Sequence, residues 1–200
     1  MIAGNGPAFA FAYRRLAFLA PAFLTRDGSV SATLIDAPDA DSAVLTLADI
    51  DVEAARALLV RHDLALLLVD DGTPIPGSYW GESEAGVIAH TVYARTDTPV
   101  HSLLHEACHL IVAPAEKRAQ IHTDASDSQA EEDATCYLQI LLADELAGVG
   151  RERLMADMDT WGYTFRLGSS RAWFEHDADD ARAWLAQRGL LPRCDREHMP

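Results

Sequence analysis

Three residues in one short run can do hydrolytic chemistry: His105, Glu106 and His109 stand in the spacing HExxH. If the run is helical, the two histidines lie one turn apart on one face. Imidazoles so placed can close on a single Zn²⁺ at about 2.0–2.1 Å. Glu106 follows the first histidine and can reach a water on that metal, where hydrolysis needs a general base. With 8 His and 11 Glu in 200 residues, chance would place an HExxH somewhere in such a chain only about 2% of the time.

A catalytic zinc site needs a third protein ligand and an open position for water. His101 is one turn before His105, but it lies about 12 Å along the helix from His109, too far for all three to share one ion. The metzincin extension is absent, because position 112 is Val and position 115 is Ala. The candidates that remain are His122, Asp124, Glu131 and Glu132. Ser128 and Glu131 have the spacing of a capping box, which gives Glu131 a purely structural use. The faces of the second helix favour it as the ligand nonetheless. Glu131 shares its side with Ala134, Leu138, Leu141 and Leu142, the side expected to face the core, where a carboxylate needs a cation. Glu132 lines up with Cys136, Gln139 and Ala143, a more polar side. The expected ligand set is therefore His105, His109 and Glu131, with Glu132 as the alternative.

These residues need two helices and something to hold them. Thr98-Pro99 offers an N-cap and a first-turn proline for the motif helix. Leu103, Leu104, Ala107, Leu110 and Ile111 give it an apolar face, and Pro114 ends it. A second helix is expected from Gln129 to Leu146, before Gly148. Upstream, Asp51–Arg61 reads as a helix and Leu64–Val69 as a short buried strand closed by Asp70-Asp71-Gly72. Residues 73–84 read as a loop. Val87–Arg95 reads as one strand feeding the motif helix, placed to pair with an extended peptide at its edge. Short β-prone pieces occur at Val30–Ile35 and Val44–Leu47. The last fifty residues suggest helices at Arg151–Asp159, around Trp173, and at Ala178–Gln187 with Gly189 as its stop. The aromatic segment Trp161–Phe165 reads as core packing. The organisation expected is a metal-binding unit over residues 1–150 and a helical extension over 151–200 packed on it.

Composition bounds the rest. Hydrophobic content of 49% with 24% charged residues is that of a globular protein. A net charge of −15 repels phosphate backbones and argues against nucleic acid as a partner. The apolar stretch Ala8–Leu24 is broken by Arg14-Arg15 and Pro21, so it reads as an amphipathic helix rather than a signal peptide or membrane span. Cys108, Cys136 and Cys194 form no paired framework, and free buried thiols fit a cytoplasmic location.

The pair formed by His105-Glu106-Ala107-Cys108-His109 and Glu131-Glu132-Asp133-Ala134 resembles the gluzincin arrangement, HExxH on one helix and ExxA on the next. It is most similar to the small ImmA/IrrE-type metallopeptidases, over residues 86–145. The resemblance implies His105, His109 and Glu131 as ligands of Zn²⁺ and Glu106 as catalytic base. It departs at position 135, a Thr where many gluzincins carry an acidic residue that orients a metal histidine. The expected fold is α+β and zincin-like, a small sheet on two central helices. The expected function is zinc-dependent hydrolysis of a peptide or protein substrate. Tyr163, His122, Arg166 and Tyr93 are open as donors to the oxyanion. The rival reading is a catalytically silent zinc-binding protein of the same fold that serves as an interaction module.

Overall fold

The structure is a computed structural model that describes residues 43–79, 83–123 and 128–191. The expected helix at Ala8–Leu24, the β-prone piece Val30–Ile35, and Trp80, Asp124 and Cys194 lie outside the described residues. Those described form an α+β fold, the class expected from the sequence. Its order is α1 (Val52–Val60), β1 (Ala65–Leu68), β2 (Gly86–Ile88), β3 (Thr91–Ala94), α2 (Val100–Val112), α3 (Ala115–Arg118), α4 (Gln129–Leu142), α5 (Gly150–Trp161), α6 (Ser170–His176) and α7 (Asp179–Gln187). None of these helices is long and apolar enough to cross a membrane.

The sheet runs β1-β3-β2, with β1 parallel and β2 antiparallel to β3. Strand alternation puts one row of side chains inward. Leu66 and Val87 both sit opposite Val92 in register, and all three are buried. This row faces α2, while α1 covers β1. Asp51 caps α1 by accepting from the Glu53 N–H at 2.9 Å, as its position before the apolar periodicity suggests.

Two strand expectations change. Val87–Arg95 is a hairpin, not one strand: the chain reverses at Ala89-His90, with Ala89 at φ 53°. Two-residue reversals normally advertise themselves with Gly or Asn in the left-handed region, and this one carries neither. The strand that feeds α2 is therefore the middle strand, and it has no edge to offer a peptide. The outer edge of β2 is covered as well. The Val87 N–H donates to Gly77 O, Ala89 N–H donates to Ile121 O, and Thr123 N–H donates to Val87 O. A side chain at Gly77 or Gly86 would collide with the backbone crossing there. The second change is β1, expected to be buried throughout. It is an edge strand, with Leu67 48% and Leu68 37% exposed.

The turn from β3 into α2 is fixed from two sides. Thr98 does not cap the helix; its hydroxyl accepts from the Arg95 N–H at 2.9 Å, and Pro99 takes the N-cap position. Residues 45–47 run beside this turn, with Leu47 N–H donating to Thr98 O and Val100 N–H donating to Leu45 O. That flanking segment is itself held by Asp157 on α5, a buried carboxylate. Asp157 accepts from the Leu45 N–H at 3.0 Å and from Arg153 Nε at 2.8 Å. Asp157→Ala would leave the Leu45 N–H without its acceptor at a part-buried joint and loosen Arg153, so we expect a loss of about 1–2 kcal/mol. Urea unfolding of the two proteins checks this, and Asp157→Asn should recover part of the loss.

Candidate metal centre

Helix α2 has almost no surface. Of its thirteen residues, Glu106 alone is not buried. Helix α4 is similar, for every residue from Ala134 to Leu142 is buried. It is enclosed by α2, α5 and α7. The two helices therefore meet inside the protein, and what they put between them is polar. Glu132, Thr135, Cys136 and Gln139 form one stripe of α4 at helical spacing. This stripe meets the histidines of α2.

His105 Nε2 and His109 Nε2 are 3.0 Å apart. Glu132 approaches both, with Oε1 3.2 Å from His105 Nε2 and Oε2 3.5 Å from His109 Nε2. A tetrahedral zinc site with bonds of 2.0–2.1 Å has ligand–ligand edges of about 3.3–3.4 Å. The three observed separations bracket that value, so the donor set fits a zinc ion. His105, His109 and Glu132 form a group that can hold a metal ion, with ligand atoms all within 4.8 Å of one another.

The far ring nitrogens are held too. His105 Nδ1 lies 2.8 Å from Gln139 Oε1. Gln139, itself fully buried, gives its amide N–H to Met158 Sδ at 3.0 Å. The amide thus presents its oxygen to His105, which places the ring proton on Nδ1 and leaves Nε2 as the donor atom for a metal. Thr135 Oγ1 lies 3.4 Å from His109 Nδ1. Cys136 is hydrogen-bonded to His105, and burial pushes its thiol up. Cys108, which stands between the two histidines in sequence, is buried, and burial raises its pKa as well.

The carboxylate brought to the histidines is Glu132, not Glu131. Glu131 sits in the first turn of α4, where its N–H donates to Ser128 Oγ at 3.3 Å, and it is not part of the cluster. By helix faces alone, the more polar side of α4 is expected to look outward. Beyond its first turn α4 is enclosed and has no outward face, and its polar stripe meets the histidines of α2 instead. Gln139 and Cys136 carried that signal in the sequence, lined up with Glu132.

The other expected residues are dispersed. His122 is exposed on the outer edge of β2, bridged to Ile88 and 2.8 Å from Thr123 Oγ1. Arg166 is paired with Asp177. Tyr93 lies on β3. Tyr163 is the one of the four oxyanion candidates whose ring lies on the cluster, edge-on to His105 with centroids 5.9 Å apart. His101 completes this corner. Its ring is 5.0 Å from Trp161 and 5.5 Å from Tyr163, and its Nδ1 is 3.5 Å from the Tyr163 hydroxyl. His101 Nε2 is buried without a hydrogen-bond partner among the described residues.

The electrostatics follow from the burial. Desolvation, with repulsion from His105, pulls His101 down to about 3. The same two causes bring His109 to about 3. Burial opposes charge on His105 also, but Tyr163, Glu132 and the Cys136 hydrogen bond overcome it and raise its pKa well above the ordinary value. A proton on His105 thus does for the metal-free cluster what a metal would do for the loaded one.

Compared with known proteins, the chain matches no family model, no curated protein and no solved structure.

Two outcomes follow from this geometry. Glu132→Ala should weaken zinc retention on the order of 100-fold or more, while Glu131→Ala should leave it near wild type. Equilibrium dialysis against a competing chelator reads both, and the reverse order would contradict the placement of α4. The second concerns pH in metal-free protein. His101 and His109 are harder to protonate when folded, so their contribution is fully present above about pH 6.5 and is lost as pH falls toward 3. Each adds a slope approaching about 1.4 kcal/mol per pH unit in that window. His105 acts oppositely, but it is protonated in both states below about pH 6.5 and adds no slope there. His101→Phe should flatten the fall in unfolding free energy between pH 6.5 and 5.

Proposed function

We propose that this protein is a zinc-dependent hydrolase of zincin-like architecture that cleaves amide bonds, peptides foremost. The observation that carries the reading is the triangle of His105, His109 and Glu132, closed at zinc dimensions between two buried helices. Two nitrogens and one carboxylate oxygen are a donor set that suits Zn²⁺ and leaves a position open for chemistry. The likeness to gluzincins supports this reading at HExxH, while the glutamate that meets the histidines lies one residue beyond the glutamate of the ExxA match. The glutamate of the second helix is then Glu132, and the residue three further on is Thr135.

Zn²⁺ held there would polarise a substrate carbonyl and lower the pKa of water toward about 7. The remaining work belongs to the chain. Glu106 is offset by about 100° from His105 around α2 and occupies the one position of that helix that is not buried. It takes the proton from the attacking water and delivers it to the leaving amine nitrogen. Gln139 and Thr135 hold the two imidazoles in orientation. Tyr163, beside His105, is the donor placed to meet negative charge as it develops on the carbonyl oxygen.

Glu106→Gln separates catalysis from metal binding. The variant should fold and retain zinc, and should lose on the order of 10²-fold or more in turnover of peptide-library substrates. Metal content and cleavage are measured on the same preparations. A wild-type protein that holds zinc, binds peptides as the variant does and cleaves none of them would leave the interaction-module reading in place of this one.

A further inference from the structure

A cavity of about 350 Å³ that the proposed chemistry does not use is lined in part by α4, the helix that carries Glu132. It opens between the first turns of α4, the segment 164–166, α6 and the start of α7. Phe165 and Trp173 form an aromatic wall, stacked with centroids 4.6 Å apart and planes at 23°. Ala178 and Ala181 add apolar surface, and Asp133, Asp177 and Asp180 stand around it. Arg166 is also in the lining, but Asp177 pairs with it through both carboxylate oxygens. The cavity therefore carries a surplus of two carboxylates, with Gln129 donating to Asp133 at 2.8 Å.

Two connections tie this cavity to the metal cluster. Asp133 follows Glu132 directly on α4. On the other side Phe165 stacks with Tyr163, centroids 6.4 Å apart, and Tyr163 lies against His105. The cavity and the cluster thus share the first turns of α4 and the segment from Tyr163 to Phe165.

The volume is at the low end for small-molecule sites, which run from about 300 to 1,000 Å³, and suits one long side chain. An apolar wall next to carboxylates in excess of cations selects a cation on an aliphatic stem. The stem lies on the wall made by Phe165, Trp173 and the two alanines, and the charge meets the acids. We propose that this cavity is a specificity subsite that receives the lysine or arginine side chain of a peptide held at the metal centre. This rests on the peptide-hydrolase reading above for its purpose, but the binding itself needs no catalysis.

The test uses the full chain, metal-free and zinc-loaded, titrated with Nα-acetyl-arginine amide, Nα-acetyl-lysine amide and the neutral Nα-acetyl-norleucine amide. Calorimetry gives affinity, and NMR of the Trp173 indole reports the place. The expected result is saturable binding of at least one cationic amide that perturbs Trp173, with the neutral one at least tenfold weaker. Asp180 is exposed at the start of α7, so its variants should fold, as circular dichroism will verify. Asp180→Asn should weaken the cation about fivefold, and Asp180→Lys should abolish its binding. Equal affinity for all three amides, or cation binding unchanged in Asp180→Lys, would overturn the subsite even in a protein shown to cut peptides. Conversely, selective binding in a protein that cuts nothing would keep the subsite and discard the hydrolase.

Discussion

Two imidazoles and a carboxylate held about 3 Å apart in an apolar interior are a constraint that everything else must satisfy. Left to itself, such a group is costly, because each polar atom has given up water. It is tolerable only if one cation is shared among the three, and α2 and α4 are arranged so that one can be. The histidines turn their Nε2 atoms to the same point as the Glu132 oxygens, and Gln139 and Thr135 attend to the opposite sides of the rings. Moving either helix by one residue along its axis would break this agreement. That is why both helices are packed nearly all round.

The motif helix was legible in the sequence because its signal is local. HExxH, the apolar positions beside it and the prolines at 99 and 114 all lie within one element. The third ligand was not, because its identity depends on what surrounds α4. Periodicity ranked its sides by polarity, and polarity usually marks solvent. Here Gln139 and Cys136 are buried, and the side that looked outward is the one that meets His105 and His109. A polar stripe on a helix whose other sides are all apolar is better read as a face turned toward a site.

The sheet was misread for a related reason. Val87–Arg95 has the composition of a strand at both ends, and Ala89-His90 contains nothing that announces a reversal. Only the pairing of Ile88 with Thr91 makes it a hairpin. The correction changes function as well as topology. With β3 in the middle and the edge of β2 occupied by residues 77 and 121–123, neither of these two strands offers an edge to an extended peptide, and the remaining edge of the sheet is that of β1. On the hydrolase reading proposed above, this places more weight on side chains around the cluster, among them the aromatic corner formed by Trp161, Tyr163 and Phe165.

The enclosure of α4 also bears on how the chain can be made. Helices α2 and α4 leave the ribosome well before α7, yet α7 covers one flank of α4. Until residues 179–187 have been synthesised, that apolar flank has nothing to rest against. The three side chains of the candidate metal centre are complete by residue 132, so a nascent chain that binds an ion there can gather them around it while its core is still open. Metal capture would then precede final packing, with the C-terminal helices closing over a centre already formed. Such an order makes the length of the chain beyond α4 a determinant of folding yield, independent of any part it plays in catalysis.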